Sequence, residues 1–84
     1  MFIRTYENEL VNVKDIQKAY ILSDRVNKDF AHLMVNTPIE NYDVFYGTLD
    51  DCLVGMDNLC EAFAKGASLI SYYSENNTEG INNR

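Results

Sequence analysis

The apolar residues of this chain change their spacing once, near Leu49, and that change limits the folds open to it. Before Leu49 they alternate with a period of two over short runs, as half-buried strands do; after it they recur four and three residues apart, as on one side of a helix. Strands therefore come first and one helix follows, which predicts an α+β domain. A chain of 84 residues has room for one core and no second domain. Residues 1–73 are read as that domain, and residues 74–84, rich in Asn with Gly80, as a disordered tail.

Phe2-Ile3-Arg4-Thr5-Tyr6 and Leu10-Val11-Asn12-Val13 flank Glu7-Asn8-Glu9, which predicts a short hairpin. Residues 16–23 carry apolar side chains on both parities and read as an interior strand. Residues 29–36 follow, with Phe30, His32 and Met34 on one face and Ala31, Leu33 and Val35 on the other, and Asn36-Thr37-Pro38 ends the run in a turn. Residues 42–46 are another candidate. About four strands are expected in one small, mostly antiparallel sheet, with residues 67–73 as an edge strand that would make a fifth.

The helix is predicted over residues 50–65 from the seam Leu49, Leu53, Met56, Cys60, Phe63 and Ala67. Thr48 or Asp50 suits its N-cap, Asp50 and Asp51 complement its dipole, and Lys65-Gly66 suits its end. Thr37-Pro38-Ile39-Glu40 offers an alternative start, a capping box with Pro at the first helical position. A long helix from there, paired with one over residues 13–35, would make an α-helical hairpin. Gly47 and Gly55 oppose it, each costing about 1 kcal/mol in a helix relative to Ala.

Hydrophobic residues are 46% of the chain, with six Tyr and four Phe, so the chain should fold. One amphipathic helix can cover only one face of a sheet whose strands are apolar on both. The uncovered face predicts a homodimer. Net charge is −6, and its distribution is uneven. Residues 1–39 hold five acids and five bases, whereas residues 40–84 hold eight acids against Lys65 and Arg84. That balance disfavours direct binding to nucleic acid and leaves a basic protein partner open. No apolar run approaches the ~20 residues of a membrane span, and the start does not read as a signal peptide. Cytoplasmic location is expected. Cys52 and Cys60, eight positions apart on one helix, cannot bridge each other and read as buried, free thiols.

The opening Ile3-Arg4-Thr5, then Leu10-Val11-Asn12-Val13, Ile16 and Ala19-Tyr20-Ile21, resembles a group of small bacterial and phage-encoded proteins of unassigned activity. These begin with a hydrophobic residue, Lys or Arg, Thr, a turn and Leu-Val-Asn-Leu or Leu-Val-Asn-Val. The resemblance covers roughly residues 2–72 and implies strands, then a helix, then a short segment after Lys-Gly, matched here by Tyr46-Gly47, Asp50 onward and Lys65-Gly66. The Thr37-Pro38 turn and the Cys-containing helix depart from the pattern.

Little in the chain points to catalysis. His32 is the lone histidine, so no paired-imidazole metal site can form, and it reads as a strand histidine. The four glycines are too dispersed for a phosphate loop. Asp50 and Asp51 read as dipole-compensating residues rather than an acid pair, and Asp43, Asp50, Asp51 and Asp57 lack the spacing of a calcium loop. No cofactor and no metal are expected. Asp50, Asp57 and Glu61 fall within about 40° on one helix face at ~100° per residue, an acidic stripe with Glu61 and Lys65 at i,i+4. The candidate binding residues are Tyr42, Tyr46, Asp50, Asp57 and Glu61, the tyrosines as aromatic anchors. These features predict a small, non-enzymatic, protein-binding accessory protein, or else an acidic inhibitor that imitates nucleic-acid charge, as small anti-CRISPR proteins do.

Overall fold

The computed structural model describes residues 1–74. The elements run β1 (Phe2–Arg4), β2 (Leu10–Asn12), β3 (Lys18–Ser23), β4 (Phe30–Asn36), β5 (Asn41–Thr48), α1 (Leu49–Lys65) and β6 (Leu69–Ser71). This is the expected α+β order. The strands form two three-stranded sheets, β2-β1-β6 and β3-β4-β5, instead of one. The expected tail at residues 74–84 falls outside the described residues except for Ser74.

The opening hairpin forms as expected, with Ile3 opposite Val11. Its turn is closed by Asn8 N–H donating to the Thr5 carbonyl, and Asn8 takes a left-handed φ of 64°. Asn tolerates that region better than most residues. β6 joins the other side of β1 in parallel, reached through the helix. The two sheets separate because β1 takes both its partners from β2 and β6, while a single backbone bond among the described residues, from Tyr6 N–H to the Val44 carbonyl, crosses to β5.

In the second sheet β4 is central and β3 is an edge, so the interior-strand expectation for residues 16–23 is corrected. The apolar residues on both parities of β3 instead serve the core on one side and an uncovered face on the other. The turn that might have opened a helix closes the β4–β5 hairpin. Thr37 Oγ1 accepts the N–H groups of Ile39 and Glu40 at 3.3 and 3.1 Å, so its capping chemistry is used, but Thr37 N–H bonds back to the Glu40 carbonyl. The helical hairpin is thereby excluded.

Ile3, Val13, Leu33, Val35, Val44 and Leu59 make one core shared by both sheets and the helix, each at 2% exposure or less. Burying such side chains contributes about 1.5–3 kcal/mol each. Thr48 caps α1 by accepting the Asp51 N–H, and Gly66 ends it in the left-handed conformation at φ 67°. The helix does not rest on the predicted seam. Its buried residues are Cys52, Gly55 and Leu59, while Leu49, Leu53 and Phe63 stay 50%, 49% and 47% exposed. Small residues decide this. A Cβ at Gly55 would stand 3.4 Å from the Leu33 side chain, and Cys52 Sγ lies 3.3 Å from the Ala31 carbonyl. The backbone therefore settles onto β4 along its small side chains, about 90° around the helix from the bulky seam at ~100° per residue. Cys52 is buried as expected; Cys60, on the rotated seam, is exposed.

Candidate functional site

β4 alternates as its sequence predicted, burying Ala31, Leu33 and Val35 and turning Phe30, His32 and Met34 to the face opposite α1. The pairing register adds Tyr20 and Leu22 from β3 and Asp43 and Tyr46 from β5 to that outer face. No described element covers it. Lys18 Nζ lies 4.8 Å from the centre of the Tyr20 ring, at the edge of the same face.

The centre of the face is a hydrogen-bonded web around His32. Its Nδ1 lies 2.8 Å from Asp43 Oδ2, and its Nε2 faces Asp24 Oδ1 at 3.8 Å. The Tyr6 hydroxyl donates to Asp43 Oδ2 at 3.2 Å, and the Tyr46 hydroxyl donates to Asp24 Oδ2 at 3.1 Å. The Tyr46 ring stacks on Phe30 at 5.4 Å and lies 4.6 Å from the His32 ring. Thus Tyr6 from the β1–β2 turn, His32 from β4 and Tyr46 from β5 converge on two carboxylates, Asp24 of the β3–β4 turn and Asp43 of β5.

Electrostatics follow from those neighbours. Partial burial, then the adjacent Asp43 carboxylate, raises the Tyr6 phenol well above its ordinary 10.0. Burial and the hydrogen bond to Asp24 likewise raise Tyr46. The Asn27 N–H, donating to the Asp24 side chain, holds that carboxyl below its ordinary 3.8. Asp43 Oδ1 is buried with no hydrogen-bond partner among the described residues, which leaves one lone-pair set of a carboxylate unsatisfied.

An Asp–His pair of this geometry can orient an imidazole and move a proton. Here the second nitrogen faces Asp24, the carboxylate that also accepts the Tyr46 hydroxyl, and the Tyr46 ring in turn stacks on Phe30. No cluster of three or more His, Cys, Asp or Glu side chains that could hold a metal ion occurs among the described residues.

The sequence-derived binding residues are divided by the structure. Tyr46 lies in the web, but Tyr42, opposite Val35, packs against the core on the inner face. Two residues four apart on a regular strand share a face. A bulge intervenes, because Leu33 pairs with Phe45 while Met34 pairs with Asp43, leaving Val44 as an extra residue in β5 and reversing the parity. Asp50, Asp57 and Glu61 are all exposed, on the side of α1 away from Cys52, Gly55 and Leu59. The cysteine thiol on the buried side, Cys52, is pushed up in pKa by its burial.

Sequence reasoning missed Tyr6, Asp24, Phe30, His32 and Asp43 as a group. The shared face of Phe30 and His32 was visible in the alternation of β4. No family model, curated protein or solved structure matches this chain.

Proposed function

We propose that this protein is a small non-catalytic binding module that takes a partner protein on the outer face of β3, β4 and β5, with Tyr46 and Phe30 as its anchors. One observation carries this reading: Tyr20, Leu22, Phe30, Met34 and Tyr46 share the face that the helix leaves open, around a centre already ordered by hydrogen bonds. Rigid aromatic side chains that lose little freedom on binding are the usual anchors of an interface. Two carboxylates, Asp24 and Asp43, beside those rings favour a partner that brings a basic side chain to the patch. The exposed free thiol of Cys60 suits a reducing, cytoplasmic setting.

A second reading, imitation of nucleic-acid charge, is supported by Asp50, Asp57 and Glu61. They stand exposed over ~16 Å of helix at ~1.5 Å per residue, with Lys65 as the basic residue of the last turn.

Affinity capture from the native host, run in parallel with Tyr46→Ala and with an Asp57→Lys, Glu61→Lys double variant, separates the two. Loss of the captured protein with Tyr46→Ala alone, in a complex that tolerates salt, supports docking on the sheet. Loss with the double variant alone, in a complex that dissolves in salt, replaces the first reading with the second.

A further inference from the structure

Among the described residues, β3 offers the longest strand edge without a partner. It has β4 on one side and no strand on the other, whereas the far side of β5 takes a hydrogen bond from Tyr6 N–H at the Val44 carbonyl. The edges of the first sheet, β2 and β6, are three residues each; β3 is six. Just beyond β3, Asp24 N–H donates to the Phe30 carbonyl, and that bond sets the alternation of the antiparallel ladder. Lys18, Tyr20 and Leu22 turn their backbone groups to Asn36, Met34 and His32, so Ala19, Ile21 and Ser23 turn theirs outward. Proteins usually blunt such an edge with Pro, a bulge or a charge. Residues 19–23 carry none of these.

We infer that this edge pairs with the same edge of a second copy, antiparallel, across a twofold axis at Ile21. Ala19, Ile21 and Ser23 then exchange N–H and C=O with Ser23, Ile21 and Ala19 of the second copy, so the outward groups of the strand all find partners. Side chains select this register. Residues opposite each other point to the same face, which sets Lys18 against Asp24 of the second copy and Tyr20 against Leu22, and the axis repeats each pair. Within one copy, among the described residues, no carboxylate pairs with Lys18 and no Lys or Arg with Asp24. The two charges are therefore complementary across the axis. Sliding the register by two residues would set Lys18 against Leu22 in one direction, or Tyr20 against Asp24 in the other. In the centred register Leu22, 49% exposed, instead meets the half-buried Tyr20 ring. The two copies of the second sheet become one, with both helices on its inner side. Phe30, Met34 and Tyr46 lie beyond β3, on β4 and β5. The pairing meets the outer face from the side and leaves those anchors open, so it stands or falls separately from the proposed docking there.

Sedimentation equilibrium of the full chain at micromolar concentrations is expected to give twice the 9.7 kDa chain mass. Ser23→Pro removes an outward N–H and no bond to β4, so it should weaken association by roughly a hundred-fold, and Lys18→Glu, at an exposed position, by roughly tenfold. Circular dichroism of both should stay that of the parent. Oxidation reads the register. In a Cys60→Ser background, Ile21→Cys should cross-link two copies on exposure to air, because Ile21 stands opposite itself at a Cα separation of ~5.5 Å. Leu22→Cys in the same background should not, since its counterpart lies two residues away along the facing strand, at ~7–8 Å. A parent that sediments as a monomer, a dimer that survives both Ser23→Pro and Lys18→Glu, or a cross-link at Leu22→Cys without one at Ile21→Cys would each overturn the proposal.

Discussion

The outer face of the second sheet and the outer face of α1 are both exposed, yet their side chains are held in different ways. On the sheet, His32, Tyr6 and Tyr46 are tied to Asp43 and Asp24, and Tyr46 is stacked on Phe30 and tilted against His32. On the helix, Asp50 and Asp57 stand in solvent, and Glu61 meets Lys65 in a pair whose side chains are 63% and 70% exposed. The comparison teaches that exposure alone does not describe a surface. A fixed aromatic face offers shape at short range with little ordering left to do, whereas a solvated acidic face offers a field that salt screens within about 8–10 Å.

The largest effect expected from this difference is on stability. Tyr46→Ala removes a ring in contact with Phe30, His32 and Tyr6 together with its bond to Asp24. Full burial of an aromatic ring is worth about 3–5 kcal/mol on truncation, and for this partly exposed ring a loss of about 2 kcal/mol is expected in urea unfolding. Replacing Asp50, Asp57 and Glu61 by Lys should cost about 0.5 kcal/mol or less at each site, most at Asp50 in the first turn. Equal losses from the two sets would erase the distinction between a fixed face and a solvated one.

That distinction was only partly legible in the sequence, for reasons that lie in particular residues. A strand has two faces, so the alternation of residues 30–35 gave the correct sides of β4 directly. The same rule does not carry through residues 42–46, where the extra residue at Val44 reverses parity between Tyr42 and Tyr46 and no turn residue marks it. A helix can rotate continuously, so the spacing from Leu49 to Phe63 announced α1 but not its buried side. Cys52 and Gly55 decided that by letting the backbone approach Leu33 and Ala31. The web around His32 joins residues 11, 22 and 37 positions apart. Nothing local in the sequence pairs them; strand register and two turns do.

An intermediate effect should appear on raising the pH. The folded state favours the neutral phenols of Tyr6 and Tyr46, through burial and the neighbouring carboxylates, so their folded values lie above the unfolded 10.0. The stability they contribute is fully present below pH ~10 and is lost as pH rises through the folded values. Tyrosinate absorbance, followed alongside circular dichroism, should show these phenols ionising late, with the fold loosening as they do. Tyr46→Phe should remove one late phenol and reduce the alkaline loss of stability. If Tyr6 and Tyr46 instead ionise at the ordinary value with the fold intact, the sheet face is as solvated as the helix and the contrast fails.

The smallest effect tests the helix side of the comparison. Lys65 Nζ lies 2.6 Å from Glu61 Oε1, four residues earlier on an exposed helix face. Good distance does not make such a pair strong, because both side chains give up freedom to meet and water screens their attraction; i,i+4 pairs contribute about 0.3–0.5 kcal/mol. Lys65→Ala also removes a cation from the last turn, where the helix carbonyls favour one, but only for as long as salt is low. In a domain of this length the sum should lower the melting temperature by roughly 2–3 °C in dilute buffer, and the shift should shrink in 1 M salt, where the screening length falls to about 3 Å. A shift that survives high salt would mean that Lys65 acts through the packing of its aliphatic stem, and that this end of the helix is more fixed than its exposure implies. The variant also leaves Glu61 without its counter-charge, so a basic partner docking on Asp50, Asp57 and Glu61 should bind it more tightly than the parent, whereas a partner held on the outer sheet face should not respond.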